Sequence, residues 1–266
     1  MKIGKLHFDL EHKGYIMGIL NVTPDSFSDG GRYVPIEDAV SRALKMVEEG
    51  ATIIDVGGES TRPGHALVSV EEEIRRVVPV IEALVRLIEV PISIDTTKSE
   101  VARAALDAGA SMINDVWGFK YDENMARVAA QYDVPVCLMH NRKEAKYEAL
   151  IPDMISDLEE SIQIAFAAGV KKGKIILDPG IGFAKTLADN LEVMKSLTVF
   201  KSMGYPILLG TSRKSMIGQA LDLPVSERLE GTIATTVLGY IEGCCIFRVH
   251  DVLENLRALK MTELMR

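Results

Sequence analysis

The sequence predicts an α/β protein folded as one single-domain (β/α)8 barrel of the TIM type, and three observations carry that expectation. Short apolar runs alternate with longer amphipathic segments from one end of the chain to the other. There are eight such runs, and no Pro/Gly/Ser linker, low-complexity tract or shift in composition divides them. The length, 266 residues, is ordinary for a barrel of this kind, which takes about 250.

The expected strands are Tyr15–Leu20, Ile53–Val56, Ile92–Ile94, Met112–Ile113, Val134–Met139, Ile175–Leu177, Ile207–Leu209 and Cys245–Val249. Each is an unbroken apolar run more than an alternating one, as a parallel strand covered on both faces requires. Between them lie helical segments. The clearest places Ile74, Val77, Val78, Ile81, Leu84, Val85 and Ile88 on one 3.6-residue stripe. Four patterns of the capping-box type mark expected helix starts: Ser69–Glu72, Thr97–Glu100, Asp189–Glu192 and Asp251–Glu254. Periodicity is also compatible with an open doubly wound sheet, the competing arrangement.

Composition narrows the function classes. Hydrophobic residues make up 47% and charged residues 26%, enough for a full core and unlike a disordered chain. The net charge of −8, with no run of Lys or Arg, suits neither nucleic acid nor an acidic membrane surface as partner. An anionic ligand must therefore be held by a local group of residues. Cys137, Cys244 and Cys245 show no disulfide framework, and reduced thiols in a cytoplasmic protein are expected. The first residues carry charges throughout and do not read as a signal peptide. No stretch approaches the roughly 18 uninterrupted apolar residues of a membrane span.

The ends of the apolar runs point to a site. They finish in Asn21, Asp55 with Glu59, Asp95, Asn114 with Asp115, His140, Asp178, Thr211 with Lys214, and Arg248 with His250. Strand ends of a parallel barrel converge at one mouth, where active sites lie. Polar turn residues alone explain one or two of these, and explain poorly the carboxylates and amides that recur. Two loops stand out as well: NVTPDSFSDGG (Asn21–Gly31) and DVGGESTRPGH (Asp55–His65), each rich in turn-forming Gly and Pro.

Those loops, with SIDTTKSEVA (Ser93–Ala102), IND (Ile113–Asp115), LDPGIGF (Leu177–Phe183), GTSRKS (Gly210–Ser215) and RVHD (Arg248–Asp251), resemble the dihydropteroate synthases, in order and along the whole chain. The weakest stretch of the resemblance is NRKEAKYEALIP (Asn141–Pro152), and no role carries over to it or to His140. The resemblance implies an enzyme that joins a pterin diphosphate to p-aminobenzoate, with Mg²⁺ as cofactor, small molecules as its partners, and a homodimer.

Three subsites follow. A pterin edge offers ring NH, amine and carbonyl groups; Asp95, Asn114, Asp178 and Lys214 supply acceptors, an amide and an ammonium to match, and the resemblance assigns them the same pocket. Asp115 is expected to be structural, and Lys214 to pair with Asp178 before a ligand arrives. For the diphosphate, Arg248 and His250 alternate on the last strand and so point one way. The resemblance adds Thr61 as a further contact and Asn21 as the Mg²⁺ ligand; one neutral oxygen suits an ion that keeps waters and borrows phosphate oxygens. For p-aminobenzoate, Ser215 opens an expected short helix (SMIGQAL), a ready carboxylate site. Phe183 and the stem of Lys214 are expected to sandwich the ring, an ordinary core aromatic being the alternative for Phe183, and Phe27, Arg62 and Pro63 from the two loops to close over it.

The implied reaction breaks a C–O bond, releases pyrophosphate and lets the aryl amine attack the pterin methylene. Arg248 and His250 face the leaving group, while Asp29, or Asp25 beside it, faces the cationic carbon. Two other readings compete. A methyltetrahydrofolate-dependent methyltransferase of the same barrel family shares counterparts of Asp95, Asn114 and Asp178, but has no need of the two loops or of an Arg-x-His anion site. A non-catalytic pterin-binding barrel would be expected to have lost charged site residues, and none is lost here.

Overall fold

The computed structural model describes residues 1–23, 36–59 and 68–265. It opens with a small antiparallel hairpin, β1 (Lys2–Ile3) and β2 (Leu6–His7), a feature that no periodicity announces in strands of two residues. Then strands and helices alternate: β3 (Tyr15–Asn21), α1 (Ile36–Glu48), β4 (Ile53–Gly57), α2 (Val70–Leu84), β5 (Ile92–Asp95), α3 (Ser99–Asp107), β6 (Met112–Asp115), α4 (Met125–Tyr132), β7 (Val136–Met139), α5 (Leu150–Ala168) and β8 (Ile175–Asp178). The chain continues through α6 (Leu187–Lys195), α7 (Leu197–Lys201), β9 (Leu208–Leu209), α8 (Ser215–Leu221), α9 (Leu229–Ile241), β10 (Ile246–Val249) and α10 (Val252–Met265).

Strands β3 to β10 form one parallel sheet in the order β8-β7-β6-β5-β4-β3-β10-β9. Its two edges meet: Leu177 of β8 bridges Ile207 in parallel, and the Leu177 amide donates to Pro206 O at 2.9 Å. The open-sheet alternative is thereby excluded. Each expected strand is present within two residues of its expected bounds. The largest shifts, of two residues, are at β6, which runs on to Asp115, and at β7, which begins at Val136, immediately after Pro135, a residue with no N–H to give a ladder.

Strand period explains how one barrel interior is apolar below and polar above. On alternate positions Ile53 precedes Asp55, Met112 precedes Asn114, Ile176 precedes Asp178, and Ile246 precedes Arg248. The lower residues pack as one cluster with Met17, Cys137 and Leu208, and Ile3, Phe8 and Leu10 from the N-terminal segment join it as a plug. A larger apolar layer fills the space between sheet and helices. The barrel is filled at its base, so ligand chemistry is confined to the opposite mouth.

Of the four expected helix starts only Ser69 caps as read, its Oγ accepting from Glu72 N at 3.2 Å. The capping box at α6 is centred on Thr186, with Asp189 as its third residue instead of its cap. Helix α3 is preceded by Lys98, whose side chain makes no capping bond. Asp251 is diverted from capping by Arg213, which donates to both its oxygens at 2.9 and 2.5 Å.

Candidate active site

Four strand ends bring Asp55, Asp95, Asn114 and Arg248 into one buried hydrogen-bonded group. Arg248 Nε donates to Asp55 Oδ2 and its terminal nitrogen to Asp95 Oδ2, both at 2.6 Å. Asn114 Nδ2 donates to the same Asp55 oxygen at 3.0 Å. Asp55 Oδ1 and Asp95 Oδ1 are buried and accept nothing. Such acceptors cost free energy unless a donor arrives, which makes them the chemical mark of a recognition site. Burial pushes the Asp95 carboxyl up to about 7; Arg248 opposes the rise, while Asp55, Glu73 and Asp115 add to it.

Asp178 completes the ring from β8. Its Oδ1 accepts from Gly180 N at 2.7 Å, and its Oδ2 lies toward Gly210, where an added Cβ would stand 3.8 Å from it and 3.9 Å from Arg248 Cβ. Burial raises the Asp178 pKa, and the charges of Lys214 and Arg248 oppose it. Lys214 stands in the expected place but does not ion-pair Asp178. Its ammonium donates to Ile181 O and lies 4.6 Å from the centre of the Phe183 ring. Burial pushes Lys214 down to about 8.

Phe183 is half-buried beside Lys214, outside the apolar core, and Ser215 is exposed at the start of α8. His250 lies past the end of β10. Its Nδ1 is 2.9 Å from Ser212 Oγ, which also accepts from His250 N at 3.1 Å. Arg248 and His250 thus come to the same mouth, but Arg248 is engaged with carboxylates. Asn21 ends β3 opposite Gly57, half-buried. Asp115 is structural as expected, accepting from Trp117 N and Phe119 N at 2.9 and 2.8 Å. Phe27, Asp29, Thr61, Arg62 and Pro63, with Asp25, lie outside the described residues.

Two supports escaped the sequence reading. Lys98 donates to Glu59 and Glu73 at 2.5 and 2.6 Å, and Glu59 also accepts from Val68 N at 2.9 Å, so the residues flanking 60–67 are clasped together. Around His140, Arg142 and Tyr147 brace the turn after β8: Tyr147 Oη donates to Ala184 O at 2.8 Å, under an Arg142 guanidinium 4.5 Å from its ring. The Asn141–Pro152 segment carries no periodicity, so nothing in its sequence points to this. The three thiols are buried, unpaired with one another and raised in pKa by burial, which leaves none poised as a nucleophile.

The family of pterin binding enzymes matches this chain over residues 17–250, from β3 to the end of β10. The chain is 60% identical to the dihydropteroate synthase of Clostridium beijerinckii over 265 residues, 99% of this chain and 98% of that one. Among solved structures, the dihydropteroate synthase of Clostridium difficile in the presence of pteroic acid superposes with a TM-score of 0.95 at 53% identity, covering 97% of this chain and 99% of the other. That of Xanthomonas albilineans with 4-aminobenzoic acid gives 0.92 at 43% identity, covering 95% and 93%. Identity of this extent, over the strands that build the mouth as well as the helices around them, shows that the chain belongs to the pterin-binding enzyme family, among its dihydropteroate synthases.

Proposed function

We propose that this chain is the transferase that condenses (7,8-dihydropterin-6-yl)methyl diphosphate with p-aminobenzoate, giving 7,8-dihydropteroate and pyrophosphate. The observation that carries the reading is the group of buried, under-satisfied acceptors on Asp55 and Asp95, with Asp178, Asn114 and Lys214 around them. A pterin edge brings the N–H donors that these carboxylates lack and the carbonyl that an ammonium can serve. The relatives solved with pteroic acid and with 4-aminobenzoic acid support both halves of the substrate pair. The methyltransferase and non-catalytic alternatives have no such support.

In this reading Arg248 exchanges Asp55 and Asp95 for the arriving ligand and, with His250 and Thr61, meets the diphosphate. Phe183, Lys214 and Ser215, with Phe27, Arg62 and Pro63, hold the aryl amine, and Asp29 faces the methylene carbon as positive charge develops. The C–O bond breaks with its electrons on pyrophosphate, and the amine nitrogen forms the new C–N bond and loses a proton to solvent. The donor set fits Mg²⁺ in one way only: Asn21 offers a neutral oxygen, and among the described residues no group of three His, Cys, Asp or Glu could hold an ion unaided. When bound, the ion supplies Lewis-acid stabilisation of the diphosphate. Mg²⁺ is therefore expected to bind appreciably only alongside the diphosphate. Calorimetry showing tight binding to the protein alone would contradict this.

Acidification is expected to weaken pterin binding, because the ligand's donors need Asp95 ionised and its pKa is raised to about 7. Below that pH each unit should cost about tenfold in affinity; a flat profile from pH 8 to 5 would argue against Asp95 as an acceptor. A homodimer is proposed on the resemblance, and sedimentation at twice the 29.2 kDa chain mass checks it. Turnover is the test of the function. Pyrophosphate should be released only when both substrates are present, and release independent of p-aminobenzoate, or none at all, would overturn the assignment.

A further inference from the structure

Behind the turn that follows β8 sits a lysine for which the proposed reaction has so far had no use. Lys185 folds back beneath its own loop, and its Nζ lies 2.9 Å from each of Gly180 O, Phe183 O and His140 Nδ1. Three acceptors match the three N–H groups of an ammonium, although burial, with Lys214 the next cause, pushes the Lys185 pKa down to about 7. Among the described residues no carboxylate lies within ion-pair range of it, unlike Lys98 or Lys120. The imidazole is an acceptor because its other nitrogen, Nε2, is 2.9 Å from Asp157 Oδ2, which also takes Arg142 Nε at 2.6 Å. Burial holds His140 neutral, its pKa down to about 3, with Lys185 itself the next cause. A chain of contacts thus runs from Arg142 through Asp157 and His140 to Lys185 and ends on main-chain carbonyls.

Those carbonyls belong to the turn that presents Phe183. Phe183 N donates to Gly180 O at 3.1 Å, and Gly182 N donates to Asn190 Oδ1 at 2.6 Å. The turn lies close against the residue that follows β7: a Cβ at Gly180 would come within 2.0 Å of His140 O. Ala184 holds φ of 44°, in the left-handed region that a β-carbon disfavours, so its surroundings must keep it there. Lys214 reaches the same turn from the other side, at Ile181 O.

We propose that Lys185 is a positioning residue for the aryl-amine site: its Nζ ties both ends of the 180–183 turn to His140 and so sets where the Phe183 ring stands against Lys214. The proposal rests on the reading that Phe183 and Lys214 flank p-aminobenzoate. Pterin recognition depends on it less, because Asp178 belongs to β8 itself, where it pairs with Met139 of β7 and its carbonyl accepts from His140 N at 2.9 Å.

Lys185→Met keeps an unbranched stem and removes all three donors. It is expected to raise KM for p-aminobenzoate about tenfold, since a ring displaced by a fraction of an ångström loses its contacts. KM for the pterin diphosphate should stay within about twofold. Amide exchange at residues 182–184 should quicken by about tenfold or more while the strands keep their protection. In a Phe183→Leu background, where the positioned ring is already gone, the same change should add less than about twofold to KM for p-aminobenzoate. Lys185→Gln, which retains amide donors, should fall between wild type and Met, and it serves if the Met variant does not fold. Unchanged exchange in the turn, equal rises in both KM values, or a full tenfold effect without Phe183 would each overturn the proposal. If the wild-type protein makes no product from these substrates, the functional reading falls, and exchange in the turn still decides whether Lys185 fixes it.

Discussion

Replacing Asp178 by Asn is expected to weaken pterin binding by about 1–3 kcal/mol, roughly 5- to 150-fold, without unfolding the barrel. The local hydrogen bonds decide how the amide would sit. Oδ1 of Asp178 already accepts from Gly180 N, so an asparagine keeps its oxygen there and turns its NH₂ into the pocket. A ligand donor then meets a donor. Asp95→Asn follows the same logic, since Oδ2 serves Arg248 and the amide nitrogen would take the position of the unsatisfied Oδ1. Asp95→Asn also removes a buried charge, so its thermal stability should not fall. Isothermal titration with a pterin gives both answers, and wild-type affinity in both variants would remove these residues from the pocket.

Arg248→Met is expected to cost about 3–5 kcal/mol of stability at pH 8, the penalty for leaving buried carboxylates without their cation. Arg248 is the shared partner of Asp55 and Asp95, and no other cation is bonded to either among the described residues. The sign of the pH dependence follows from linkage. Without Arg248 the folded-state pKa of Asp95 rises further above its unfolded value. The folded variant then binds the extra proton at acid pH, and its stability falls as pH rises through that range. The deficit relative to wild type should therefore shrink towards pH 5. Adding Asp55→Asn should recover part of the loss at pH 8. Urea unfolding at both pH values checks the set; a deficit under about 1 kcal/mol at pH 8 would mean that the ion pairs hold nothing buried in place.

The sequence disclosed the barrel because its signals are local and repeated: unbroken apolar runs such as Ile175–Leu177 and stripes such as Ile74 to Ile88 need only their own residues to be seen. The strand-end residues were legible for the same reason. Asp95, Asn114 and Asp178 each follow an apolar run, and closure of the barrel brings them together. What stayed hidden depends on side chains choosing among partners far apart in sequence. Lys214 goes to Ile181 O instead of Asp178 because the turn after β8 comes closer than the acid does. Asp251 serves Arg213 instead of its own helix, and Arg213 is thereby structural. Lys185 and His140 meet across 45 residues of sequence, a pairing that no spacing foretells. The hairpin that plugs the barrel base is missed for another reason, since two-residue strands leave no period to read.

The measurement that bears most directly on the central claim is a crystal structure of this protein with the pterin diphosphate bound. The pterin ring should lie within hydrogen-bond distance of Asp95, Asn114, Asp178 and Lys214, with Arg248 withdrawn from Asp95 and turned to the phosphates. A ring bound elsewhere in the mouth, or Arg248 still paired with Asp55 and Asp95 beneath it, would contradict the account.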